Sequence, residues 1–161
     1  MASIATSEKR VDGVALEEKV KAMYRAVALQ PEGDFHFEMG RALAERLGYA
    51  PADLDAIPAQ AIQSFAGVGY YFDLARIERG ETVVDLGSGS GMDSFIAARK
   101  VGATGAVVGI DMTDEQLDKA EKLRLAGGIA NLSYRKAYIQ STGLGQDFAT
   151  PSSATVSSTW P

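Results

Sequence analysis

The sequence contains no cysteine and a single histidine, His36, among its 161 residues. Without cysteine the chain has no disulfide bonds, no thiolate nucleophile and no sulfur-rich metal site. The lone histidine has no carboxylate cluster at a spacing typical of metal ligands. We therefore predict no metal site.

Long apolar runs are also missing, so no segment is long enough to span a bilayer. The first residues, MASIATSEKRVDG, lack the apolar core of a secretion signal. A formal net charge of −5 argues against nucleic acid or an anionic membrane surface as the main partner. These absences predict a cytoplasmic protein with one modest core.

Residues 1–80 are predicted to form a helical lead-in. Apolar residues recur at helical spacing between Leu16 and Gln30, and a second helix should end at Gly48. Pro51 and Pro58 are placed to start short helical turns. A further helix is predicted after the glycine pair Gly67 and Gly69.

The pattern changes at residue 81, and residues 81–139 predict a partial α/β domain. Strands and helices alternate with short links, which is typical of a parallel sheet with crossover helices. The predicted strands are TVVDL, GAVVGID and NLSYRKAYI, and the predicted helices are MDSFIAARKV and TDEQLDKAEKLRLAG. Thr113 is the expected N-cap of the second of these helices.

Residues 140–161 are rich in Ser, Thr, Gly, Ala and Pro and show no usable periodicity. We predict that this tail is disordered. A truncated or frameshifted gene product would explain the abrupt loss of pattern.

The glycine-rich turn in ETVVDLGSGSGMDSF, residues 81–95, predicts a cofactor site at the carboxyl end of the first strand. A mononucleotide P-loop would need Lys and Ser or Thr where Met92 and Asp93 stand. A dinucleotide site would favour a third glycine at Met92, and the acid Asp85 would lie near its phosphates. A purely structural turn is a further alternative.

S-adenosylmethionine fits the charges better, because it carries a sulfonium and an ammonium and no phosphate. Asp85, at the end of the first strand, would attract these cationic groups. Asp111, at the end of the second strand, could accept hydrogen bonds from both ribose hydroxyls.

The segment VVDLGSGSGMDSFIAARKVGATGAVVGIDMTDEQLDKA resembles the front half of a class I S-adenosylmethionine-dependent methyltransferase. It is most similar to the arsenite methyltransferases and to the small-molecule enzymes of ubiquinone and menaquinone biosynthesis. The resemblance covers roughly residues 35–139. It implies a Rossmann-like fold of which this chain supplies strands 3, 2 and 1, with S-adenosylmethionine as cofactor and a small molecule as methyl acceptor.

The resemblance also implies roles for individual residues. Those expected to surround the methionine part of the cofactor are Asp85, Gly87, Ser88 and Gly89, and Gly91 in the same turn is a further expected cofactor-binding residue. Asp111 would bind the ribose, Met112 would pack on the adenine, and the aromatic residues Tyr70, Tyr71 and Phe72 would lie near the pocket mouth or in the core. Catalytic residues are not assigned.

The chain departs from the family in three ways. The arsenite enzymes bind arsenic through thiolates, whereas this sequence has FAGVGYY before the first strand and no cysteine. Gln140 and Ser141 stand where relatives carry an acidic turn near the adenine. Strand 4 and the substrate side are not recognisable. The resemblance therefore predicts an incomplete, inactive cofactor-binding fragment whose first strand forms an open edge, through which copies could self-associate.

Overall fold

The computed structural model describes residues 13–31, 33, 35–144 and 153–157. Seven helices and four strands occur in these ranges. The helices are α1 (Gly13–Leu29), α2 (Gly40–Leu47), α3 (Pro51–Asp55), α4 (Ala59–Gln63), α5 (Phe72–Ala75), α6 (Met92–Val101) and α7 (Asp114–Ala126). The strands are β1 (Thr82–Leu86), β2 (Ala106–Asp111), β3 (Leu132–Lys136) and β4 (Ser153–Ser157).

The four strands form one parallel sheet in the order β3-β2-β1-β4. Val84 at the centre of β1 pairs with Val108 of β2 on one side and with Thr155 of β4 on the other. The predicted order 3-2-1 is thus confirmed, and the crossover helices α6 and α7 follow β1 and β2 as expected. Since the strands run parallel, the carboxyl ends of β1 and β2 lie side by side.

The fourth strand corrects two expectations. The prediction of disorder is wrong for Ser153–Ser157, and β1 is an inner strand rather than an open edge. Apolar periodicity could not reveal β4, because its pairing with β1 depends on backbone hydrogen bonds. The β-branched residues Thr155 and Val156 favour a strand in this segment. The remaining tail expectation falls partly on residues 145–152 and 158–161, which lie outside the described residues.

The helix boundaries follow the predicted signals. Gly48 ends α2 with φ of 107°, and its N–H donates to the carbonyls of Ala44 and Glu45. Pro51 opens α3 and Pro58 precedes α4. Thr113 occupies the N-cap of α7 as predicted, but its hydroxyl makes no capping hydrogen bond.

The core joins the lead-in helices to the sheet. Leu43 of α2, Leu54 of α3 and Ile62 of α4 belong to the same buried cluster as Val83 of β1 and Phe95 of α6. The lead-in helices therefore pack on the α/β part. The boundary proposed at residue 80 stays a prediction about domain organisation.

Candidate functional site

The glycine loop, residues 87–91, connects β1 to α6 and is seated on the end of β2. The backbone N–H groups of Gly87 and Ser88 both donate to the carbonyl of Ile110, at 2.8 and 2.9 Å. Gly87, Gly89 and Gly91 have φ angles of 75°, 51° and 92°. Residues with a side chain rarely adopt these φ angles, so the loop needs glycine at these three positions to follow its path.

Asp111 ties the glycine loop to the start of α7. Its Oδ2 accepts a hydrogen bond from the N–H of Gly89 at 3.0 Å, and its Oδ1 accepts one from the N–H of Thr113 at 2.8 Å. The side chain is half-buried. Because a carboxylate oxygen has two lone pairs, each oxygen can still accept a second donor. Asp111 thus has the capacity for the ribose role that the resemblance implies.

Two buried hydroxyls lie next to these backbone groups. Ser88 Oγ, in the loop, and Thr113 Oγ1, at the α7 N-cap, have no hydrogen-bond partner within the described structure. Buried hydroxyls are normally satisfied, so the pair indicates a place for a polar ligand or for water. Met112 lies between Asp111 and Thr113 and is half-buried.

Asp85 lies deeper than its predicted role suggests. The side chain is fully buried, and its Oδ2 accepts a hydrogen bond from Ser94 Oγ of α6 at 2.6 Å. Burial, reinforced by the neighbouring Asp93, raises the pKa of Asp85 to about 8. This carboxyl lies in the interior between β1 and α6, where burial favours its protonated form.

Gly91 has a packing role in addition to its place in the loop. It is the N-cap of α6, and a Cβ added there would collide with the hydroxyl of Tyr134 from β3. Gly109 of β2 faces the same ring, which an added Cβ would approach to 2.6 Å. The two glycines make room for Tyr134. The sequence motif alone did not reveal this, because the contact crosses from one strand to another.

A hydrogen-bonded chain that sequence reasoning missed runs from the glycine loop to α1. Ser90 Oγ donates to Gln116 Oε1, and Gln116 Nε2 donates to the carbonyl of Tyr24 at 3.0 Å. Ser90 and Gln116 are both buried. The signal available in the sequence was an amide in the first turn of α7.

The aromatic residues before β1 pack mainly with one another. Tyr49 makes edge contacts with Tyr70, at 4.9 Å between ring centroids, and with Phe72, at 6.2 Å. Phe72 is buried in the core, whereas Tyr70 and Tyr71 are half-buried. Phe72 is thus a core residue, and Tyr70 and Tyr71 also pack against the core. A place near the pocket mouth stays a prediction for the two tyrosines.

Within residues 13–31, 35–144 and 153–157 no group of three or more potential metal ligands comes together. Nor does any helix in the described part of the chain combine the length and apolarity needed to cross a membrane.

Comparison with known proteins agrees with this geometry. A family model described as a methyltransferase domain matches residues 77–151. An arsenite methyltransferase of Halobacterium salinarum is 40% identical over 92 residues, which are 57% of this chain and 23% of that protein. A ubiquinone/menaquinone biosynthesis C-methyltransferase of Salmonella arizonae is 39% identical over 69 residues, covering 42% of this chain and 28% of that protein.

A solved structure is also similar. The arsenic(III) S-adenosylmethionine methyltransferase of Chlamydomonas reinhardtii is 32% identical, with a TM-score of 0.48, over 58% of this chain and 34% of that one.

The chain is thus similar to methyltransferases, in line with the resemblance found in the sequence: the methyltransferase-domain model matches residues 77–151. In sequence the chain is similar to arsenite methyltransferases and to ubiquinone/menaquinone biosynthesis methyltransferases. The chain spans about a quarter of the length of these curated relatives.

Proposed function

We propose that the chain binds S-adenosylmethionine at the carboxyl ends of β1 and β2, as the cofactor half of a methyltransferase acting on a small molecule. The observation that carries the proposal is the placement of Asp111. Its carboxylate bridges the glycine loop and the start of α7 and keeps acceptor capacity on both oxygens. Hydroxyl donors of a ribose match those acceptors.

The other residues of the site fit the same ligand. The loop from Gly87 to Gly91 has the positive φ angles that let a ligand approach the backbone. Ser88 Oγ and Thr113 Oγ1 are buried hydroxyls that a polar ligand could satisfy. Met112 would contact the adenine. When bound, S-adenosylmethionine supplies a methyl group activated by its sulfonium.

Asp85, buried at the end of β1 beneath the glycine loop, would attract a cationic group of the cofactor. A cationic ligand group near its buried carboxyl favours the ionised form, opposing the burial and the Asp93 charge that raise its pKa. The attraction we expected from the sequence would then develop as the cofactor binds.

A phosphate-bearing dinucleotide is the second candidate, and the acids disfavour it. Asp85 and Asp93 are both buried beside the turn that would hold the phosphates. A non-catalytic S-adenosylmethionine-binding module is the third. Such a module would bind S-adenosylmethionine in the same way, but it would not belong to a protein that transfers the methyl group.

Titration calorimetry tests the proposal directly. S-adenosylmethionine and S-adenosylhomocysteine should bind with one-to-one stoichiometry, and NAD should give no heat of binding. A methyl-transfer assay against small thiols, quinols and arsenite then tests for activity: a methylated product would show that this chain is active on its own. Absence of binding by both sulfur compounds would refute the proposed function.

The finer parts of the family resemblance remain proposals. We propose that the acceptor is a small molecule rather than a nucleic acid, and that the isolated chain does not complete methyl transfer. A cytoplasmic location, inferred from the sequence, is part of the same proposal.

A further inference from the structure

Gln116 makes the only described side-chain connection between the glycine loop and α1, counting the hydrogen bonds of residues 13–31, 35–144 and 153–157. Its amide uses both ends: Oε1 accepts from Ser90 Oγ, and Nε2 donates to the carbonyl of Tyr24. With 2% of its surface exposed, Gln116 has no access to bulk water as an alternative partner. A buried amide held at both ends is strongly fixed in orientation.

The helix that Gln116 holds, α1, packs against α7, which begins at the candidate site. Arg25 of α1 pairs with Glu115 of α7 at 2.7 Å. Burial raises the pKa of Tyr24, and the nearby carboxylate of Asp111 raises it further. Thus α1 approaches the same carboxylate that binds the N–H of Gly89.

We propose that Gln116 is a positioning residue that couples the docking of α1 to the conformation of the glycine loop. An ordered loop presents Ser90 to Gln116, and Gln116 in turn presents its N–H to α1. Whatever stabilises the loop therefore stabilises the docked helix, and the reverse holds equally, since coupling between sites is reciprocal. Gln116 does not itself have to touch the cofactor.

The proposal rests on the proposed function where cofactor binding is concerned, but its core can be tested without any ligand. In the free protein, Gln116→Leu removes both hydrogen bonds and leaves a shorter, apolar side chain in the buried position. Backbone hydrogen exchange should become faster both in residues 87–91 and in residues 20–29. Exchange in β3, residues 132–136, should stay unchanged.

The matched control is Asn131, a half-buried amide just before β3, at the opposite end of the sheet. Asn131 Nδ2 donates to the carbonyls of Ala98 and Gly102, at 3.0 and 2.9 Å. Asn131→Leu should lower the melting temperature to a similar degree without altering exchange in α1 or in the glycine loop. A merely structural role for Gln116 would make the two variants behave alike.

A second pair of variants separates the two hydrogen bonds. Ser90→Ala removes the loop side of the connection only, and the double variant Ser90→Ala/Gln116→Leu should be little worse than Gln116→Leu alone, because both act on one chain of bonds. Fully additive effects on exchange in α1 would overturn the coupling.

The last measurement uses the cofactor product. S-adenosylhomocysteine should slow exchange in residues 20–29 of the wild-type protein. Gln116→Leu should abolish that protection and weaken binding roughly thirtyfold, the factor expected for the loss of two neutral hydrogen bonds. If the wild-type protein does not bind S-adenosylhomocysteine, the proposed function fails while the ligand-free result still decides the coupling. If Gln116→Leu leaves exchange in α1 unchanged in the free protein, the coupling is wrong.

Discussion

Asp111 accepts a hydrogen bond through Oδ2 from the backbone N–H of Gly89, at 3.0 Å, so that the end of β2 fixes the middle of the glycine loop. The same carboxylate receives the N–H of Thr113 through Oδ1. One side chain therefore shapes the site before any ligand enters it, and its loss should affect both the loop and the ligand.

Asp111→Ala should weaken S-adenosylmethionine binding tenfold or more. Hydrogen bonds to charged groups contribute about 1.5–3 kcal/mol each, and the variant loses acceptors for the ligand as well as for Gly89. Calorimetric dissociation constants measure the effect. Asp118→Ala, which removes an exposed acid further along α7, is the control for the change in net charge. Equal dissociation constants for wild type and Asp111→Ala would remove Asp111 from the site.

Asp85 should make stability depend on pH. Its folded-state pKa, about 8, lies above the ordinary value of 3.8, so the folded protein holds a proton that the unfolded chain has released. Between these two values the contribution of Asp85 to the free energy of unfolding falls as pH rises, and the whole penalty is present above pH 8. Below pH 3.8 both states are protonated and the penalty vanishes.

Asp85→Asn removes this titration. Urea unfolding from pH 5 to pH 9 should therefore show a shallower loss of stability for Asp85→Asn than for the wild-type protein. The asparagine can still accept the hydrogen bond from Ser94. Parallel curves for the two proteins would mean that Asp85 is ionised in the folded state throughout this range.

Gly91→Ala should destabilise the fold more than a comparable change at Gly128. Both glycines have positive φ, 92° and 62°, so alanine at either position is strained by about 1–2 kcal/mol. An added Cβ at Gly91 also collides with the Tyr134 hydroxyl, whereas a Cβ added at Gly128 has no other atom within 4 Å. The extra loss at Gly91 should be about 1–3 kcal/mol, as for other overpacked sites.

Tyr134→Phe provides the rescue. Removing the hydroxyl relieves the nearest contact of the added Cβ, and the double variant should recover part of the free energy of unfolding lost by Gly91→Ala. Chemical denaturation of the four proteins measures the coupling. No recovery would place the cause in the loop rather than in the contact with Tyr134.

The chain should not methylate arsenite, even with S-adenosylmethionine and thiols supplied. Arsenite is a soft centre, thiolates are the soft ligands that proteins offer, and the sequence has none. Chromatographic separation of arsenic species is the measurement, with an arsenite methyltransferase as the positive control. Methylated arsenic above the level of a protein-free reaction would contradict this prediction.

Removing residues 145–161 should expose β1 and promote self-association. In the described structure β4 covers the side of β1 that the sequence led us to expect open. An uncovered strand edge is a template for pairing with another chain. Light scattering over a range of concentrations should give a larger mass for the shortened chain than for the whole one, and equal masses would show that β4 does not protect β1.

The elements around the site were predictable because their signals are local. Strand β1 and helix α6 have the predicted bounds, since β-branched residues favour the strand and Gly87, Gly89 and Gly91 define the turn between them. Adjacent positions along the chain contain this information, and it does not depend on the rest of the fold.

The remaining features depend on contacts between distant segments. Strand β4 has no apolar repeat of its own, and its partner lies far away in the sequence. The burial of Asp85 follows from the packing of α6 on β1, and the role of Gln116 follows from the approach of α1 to α7. A pattern within one segment predicts that segment's conformation, but it does not predict which other segment will supply a hydrogen-bond partner.

The position of β4 beside β1 has a consequence for the order of folding. Strands β1, β2 and β3 follow one another along the chain, whereas β4 must join β1 after the whole of the α6, β2, α7 and β3 sequence has intervened. Closing that long loop costs more chain entropy than the earlier crossovers, so β4 should dock last, both in refolding and during synthesis from the N-terminus. Until then β1 lies at the edge of the newly folded sheet, where its unpaired backbone groups can pair with another chain.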